Sequence, residues 1–116
     1  MIHLFLMNII KRQIEIFCTT NGKKPFVSWL ESLKDKKIRY RIKERLDRIA
    51  LGNMGDCKPI REGVSELRLD FGPGYRIYFA EEKQKIVILL CGGDKSTQEK
   101  DIKKAIQYWE MYRGEL

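Results

Sequence analysis

The residues best suited to chemistry in this chain lie between Glu66 and Lys95. Glu66, Arg68 and Asp70 are spaced by two, and so are Arg76 and Tyr78. In an extended strand that spacing puts side chains on one face. Arginine carries a planar fork that engages anionic oxygens in pairs. Tyrosine adds a flat ring, and the carboxylates either neutralise the arginines or handle protons. Asp94 and Lys95 follow a third apolar run and reach the rim of the same surface. The expected chemistry is recognition of an anion on a mixed-charge face.

Three antiparallel strands must position these groups. In the first, Leu67, Leu69 and Phe71 alternate with the polar set, and in the second Tyr75, Ile77 and Phe79 do so. Gly72-Pro73-Gly74 forms the turn between them, because glycine reaches positive φ and proline fixes the middle. A tight turn predicts the pairs Phe71 with Tyr75, Leu69 with Ile77 and Leu67 with Phe79. Asp70 then faces Arg76, Arg68 faces Tyr78, and Glu66 faces Ala80. The third strand, Lys85 to Cys91 (KIVILLC), is apolar on both faces and is expected inside the sheet.

The flanking segments read as support. Lys11 to Cys18 alternates in part and predicts an edge or outer strand. Pro25 fits the first turn of a helix, and Phe26, Trp29, Leu30 and Leu33 follow at i, i+3, i+4, i+7. A second helix is expected from about Lys36 to Leu51, stopped by Gly52, with the stripe Ile38, Ile42, Leu46, Ile49. The short link between them predicts an antiparallel helical hairpin. Arg39, Arg41, Lys43, Arg45 and Arg48 lie around the second helix. They form either an RNA-binding stripe or a solvated face, the commoner case. Asn53 to Gly63 reads as a loop that carries Lys58 and Arg61 toward the candidate face, where they either touch phosphate or simply connect. Ser96-Thr97-Gln98-Glu99 matches a capping box. The helix after it presents Ile102, Ala105, Ile106, Trp109 and Tyr112 to the core or to a partner. The sum is one α+β domain over residues 1–116: N-terminal strand, helical hairpin, three-stranded meander and C-terminal helix.

Composition narrows the partners. Lys and Arg number 23 against 16 Asp and Glu, a formal charge of +7. A small domain this basic suits a polyanion, with nucleic acid or an acidic protein as the candidates. The three cysteines are dispersed, and the one histidine is His3. That pattern argues against a zinc site or a disulfide framework, and fits a reducing cytoplasm. The apolar N-terminus, MIHLFLMNII, has no basic leader before it and no small-residue cleavage site. No run reaches membrane-spanning length. Residues 1–6 read as an extension ahead of a second start at Met7.

ALGNMGDCKPIREGVSELRLDFGPGYRIYF, followed by LLCGGDKSTQEKDI, resembles the RelE/ParE superfamily of bacterial toxins, closest to the HigB-like addiction module killer proteins. The likeness covers nearly the whole chain from about Met7, and GVSELR, GPGYRIYF and LLCGGDK carry it in order. The resemblance implies a small α+β RelE-like fold and a type II toxin–antitoxin toxin. It implies a helix-turn-helix antitoxin as partner and no metal or other cofactor. RelE- and HigB-like members cleave mRNA on the ribosome, whereas ParE-like members inhibit DNA gyrase without nuclease activity. The alternatives to a ribosome-dependent mRNA endonuclease are therefore a gyrase inhibitor, or a catalytically inactive module that binds RNA or antitoxin.

Residue by residue, the resemblance places Arg76 at the family's phosphate-contacting arginine. Arg68 lies near a basic position on the preceding strand, and Lys95 approximates one after the last strand. Lys58 and Arg61 are further RNA contacts. Tyr78 either stacks on a base or supports the sheet. Asp94 is an acid/base group, an orienting group or a helix cap. Three departures stand out: the one histidine, His3, lies in the N-terminal extension and leaves no histidine as general base, Glu66 occupies a position that is basic in several nucleases, and Asp101 replaces their C-terminal tyrosine.

Overall fold

The computed structural model describes residues 11–115, so the readings for His3 and residues 1–6 fall outside it. In chain order the elements are β1 (Gln13–Ile16), α1 (Pro25–Ser32), α2 (Lys36–Ala50), β2 (Cys57–Arg61), β3 (Val64–Arg68), β4 (Arg76–Glu82) and β5 (Ile86–Gly93). A 3-10 turn (Lys95–Thr97) then leads into α3 (Gln98–Tyr112). The α+β class holds, around a five-stranded sheet of order β1-β5-β4-β3-β2. β1 is an edge strand parallel to β5, and the other neighbours are antiparallel.

Both faces of the sheet are covered. Leu67, Leu69, Ile77, Phe79, Val87 and Leu89 pack with Phe26 of α1 and with Ile42 and Ile49 of α2. Tyr78, Ala80, Ile88, Leu90 and Cys91 pack under Ile102, Ala105 and Trp109 of α3. β5 is interior, as its unbroken apolar run requires. The C-terminal stripe is core from Ile102 to Trp109, with Tyr112 exposed, and α3 lies over the sheet face that carries the candidate residues.

Two readings outside the meander register need correction. The segment Asn53 to Gly63 is not all loop, because Cys57–Arg61 forms edge strand β2. An edge tolerates Pro59, and the register shift between Pro59 and Arg61 hides the alternation. Glu62 and Gly63 turn this hairpin with φ of 55° and 82°, the positive pair a two-residue reversal demands. The two helices share one apolar cluster on the sheet, and Phe26 and Leu30 of α1 line one cleft with Leu46 of α2. Extended backbone at Leu33 and Asp35, ψ 109° and 114°, separates the helix ends. The capping box does not form. Asp94 caps the 3-10 turn, and the Thr97 side chain makes no capping bond.

The meander register differs by two residues. Leu67 pairs with Ile77, Arg68 with Arg76, Glu66 with Tyr78 and Ser65 with Phe79. A shift of two preserves both faces but changes every cross-strand partner. The loop is wider than a tight turn, with Leu69 N donating to Tyr75 O at 3.0 Å and Lys95 N to Pro73 O at 3.4 Å. Its aromatic residues anchor it on the helix side: Tyr75 lies 6.0 Å from Trp29 and 6.2 Å from Phe71, ring centre to ring centre.

Candidate functional site

The register shift decides the partner of Arg76. Its expected neutraliser, Asp70, has a side chain 95% exposed and only approaches Arg41, at 4.0 Å. Glu66, four residues back on β3 and diagonal to Arg76 across the sheet, takes that place. Arg76 Nε donates to Glu66 Oε1 at 2.8 Å, and Arg76 Nη1 donates to Gly74 O at 2.8 Å. Gln98, from the first turn of α3, donates its side-chain amide to the same Glu66 oxygen at 3.2 Å. Glu66 is completely buried and Arg76 is 8% exposed. Each charge stays in the low-dielectric layer only because the other is there.

Gly74 makes this packing feasible. Its φ is +79°, and a Cβ there would stand 3.1 Å from Lys95 Cβ and 3.2 Å from Arg76 Nη1. The loop backbone therefore touches both basic residues at once. Lys95 is exposed beside it. Asp94 holds the 3-10 turn, its Oδ1 accepting from Ser96 N at 2.8 Å and from Ser96 Oγ at 2.5 Å. Those two hydrogen bonds hold its carboxyl below the usual aspartate range. Arg76, Lys95 and Asp94 thus come together at one rim.

Tyr78 does not join them at the surface. Its side chain is wholly buried under α3, so base stacking would require that helix to move. Burial, reinforced by the charges of Glu66 and Asp101, raises the pKa of its hydroxyl. The hydroxyl and the second oxygen of Glu66 have no hydrogen-bond partner among the described residues. Lys58 is exposed on β2, opposite Glu66 in register. Arg61 is tied to Glu99 of α3 at 2.6 Å.

Arg68 stands directly opposite Arg76. Like charges in that relation repel. Separate carboxylates relieve them, Glu66 for Arg76 and Asp56 for Arg68, the latter at 3.6 Å. The Arg68 side chain is 45% exposed and reaches a groove of about 410 Å³ along α2. Arg41, Arg45 and Arg48 line the other wall. Sequence reasoning had these helix residues but not the groove, because nothing local marks where β3 meets α2. It read Gln98 as part of a cap and missed it as a ligand of Glu66. Among the described residues no group of three or more His, Cys, Asp or Glu is placed to hold a metal ion. Nor is any helix among them long and apolar enough to cross a membrane.

A basic α+β domain with arginines gathered at one end of its sheet is the class these features define. The chain belongs to the family described as phage-derived protein Gp49-like (DUF891), which it matches over residues 28–110. An uncharacterized protein of Haemophilus influenzae is 51% identical over 80 residues, 69% of this chain and 81% of that one. The Gp49-like family is a toxin-like family of toxin–antitoxin systems, and an antitoxin is the partner it suggests.

Proposed function

We propose that the chain is the toxin of a type II toxin–antitoxin pair and acts as a ribosome-dependent, metal-independent mRNA endonuclease. The observation that carries this reading is the opposed pair Arg68 and Arg76, with Lys95 at the same rim. In the cleavage envisaged, an RNA 2′-OH attacks the adjacent phosphorus and the 5′-oxygen leaves. The 2′-OH loses a proton, the leaving oxygen gains one, and negative charge builds on the phosphate between. Arg76 is pre-organised for that charge. Glu66 and Gly74 O hold two of its nitrogens, and Nη2 has no hydrogen bond among the described residues. Arg68 supplies the mobile fork, and Lys95 adds a point charge. Asp94, already accepting two hydrogen bonds, sets the turn that presents Lys95. Lys58 extends the basic surface along the edge strand. The cognate antitoxin, of the helix-turn-helix type, would silence the site.

The neutralisation of Arg76 by Glu66 favours a second reading, a ParE-like gyrase inhibitor without nuclease activity. Inducing the chain without antitoxin and mapping the 5′ ends of cellular mRNA separates the two. New ends in phase with codons support the endonuclease. Intact mRNA together with a DNA-damage response assigns the gyrase target instead.

A further inference from the structure

The basic run of α2 takes no part in the site just described, yet it forms one wall of the polar groove of about 410 Å³. Of the 15 residues of α2, seven are Lys or Arg and two are acidic. Arg41, Arg45 and Arg48 sit at i, i+4 and i+7, a row about 10 Å long on one helix face. Arg68 completes the groove from the sheet side.

The groove is built rather than incidental. Arg45 donates to the carbonyl oxygens of Asn53, at 3.3 Å, and Met54. Gly55 has φ +63°, and a Cβ there would collide with the Arg45 guanidinium, so the loop closes directly onto that side chain. Arg45 is thereby a structural floor. On either side of it, Arg41 lies over the Phe71 ring at 3.9 Å from its centre, and Arg48 makes no ion pair among the described residues. Three carboxylates, Glu44, Asp56 and Asp70, share the lining, so its own formal charge is only +1. The donors that matter are therefore the directed guanidinium forks, backed by the wider positive field of α2.

We infer that this groove is a binding site for a phosphodiester backbone, and that Arg41 and Arg48 are its principal contacts. It rests on the proposed function only in that the strand entering the groove passes Arg68 on its way to the rim. The lining favours nucleic acid over an acidic protein. A protein partner needs apolar anchors at the centre of its interface, and the groove offers only Leu69, 7% exposed, and the half-buried Phe71. A phosphodiester needs charge and hydrogen-bond donors, which the groove has.

The test is equilibrium binding of the full chain to short labelled oligouridylate and oligothymidylate, by fluorescence anisotropy across a salt series. Arg48→Gln weakens binding several-fold and flattens the log–log salt slope by about 0.7, the share of one single-strand phosphate contact. Arg41→Gln/Arg48→Gln flattens it by about 1.4, twice that share. The oligonucleotide held more tightly names the source of the backbone. Lys103→Gln/Lys104→Gln, on the exposed side of α3, is the control for net charge alone. Groove variants that bind like the native chain, or lose no more than this control, overturn the inference. So does a pair that keeps the oligonucleotide and loses the antitoxin. A native chain that binds as expected but leaves mRNA intact sinks the endonuclease reading and leaves the groove standing.

Discussion

Two arginine sites lie on adjacent parts of this molecule and have opposite character. Under α3, Arg76 is fixed by Glu66 and Gly74, and Gln98 holds Glu66, in a layer nearly closed to water. Along α2, Arg41 and Arg48 stand exposed on a helix. In the first place an arginine is rigid and its charge is already met. In the second the charge is open to solvent, with Arg41 resting on the Phe71 ring and Arg48 in no ion pair among the described residues. Rigid placement suits stabilisation of a single phosphate at the reacting centre, and exposed placement suits capture of a chain. Arg68 belongs to both regions, opposing Arg76 in register and lining the groove.

Removing arginines from each region measures the contrast. Arg76→Ala leaves the Glu66 carboxylate buried without its cation and lowers stability by about 3–5 kcal/mol in urea unfolding. A loss under about 1 kcal/mol, the worth of a surface pair, would remove the distinction between the regions. Arg45→Gln frees the carbonyls of Asn53 and Met54 and costs about 1.5–3 kcal/mol by the same assay. Arg48→Gln changes stability by no more than about 0.5 kcal/mol, as befits an exposed side chain with no ion pair. A large loss there would make Arg48 structural and unfit for the role given it.

Thiol labelling at neutral pH sharpens the comparison without any arginine substitution. Cys91 lies under α3, where burial, with Asp101 nearby, pushes its thiol up to about 12. Cys57, at the groove end of β2, is half-buried and raised by the same cause to about 11. Cys18 is exposed. The expected order of reaction is Cys18, then Cys57, then Cys91, since the thiolate is the reactive form. Early labelling of Cys91 would show that α3 leaves the sheet readily.

Much of the sheet was legible because alternation reports faces directly. Leu67, Leu69, Ile77 and Phe79 lie on the helix side as their spacing demanded, and the apolar run of β5 is interior. Register was not legible, since a slip of two leaves the same face pattern. That one ambiguity exchanged Asp70 for Glu66 as the partner of Arg76. β2 was hidden by a proline and a bulge, which an edge strand tolerates. The candidate face looked open because its charged residues read as solvent-facing. Glu66 and Arg76 are inside, because a carboxylate and a guanidinium ten residues apart satisfy each other there, whereas Arg68 and Asp70 do face solvent. The groove depends on a meeting of β3 with α2, which no local pattern encodes.

The most direct test of the central claim uses Arg68, the residue common to both regions. Arg68→Gln removes a half-exposed fork and leaves the buried pair untouched. Cellular mRNA 5′ ends are mapped after induction of the native chain and of this variant, with melting temperatures measured in parallel. The expected result is new ends with the native chain and about 100-fold fewer with an equally stable variant. Undiminished cleavage by a fully folded Arg68→Gln would contradict the claim.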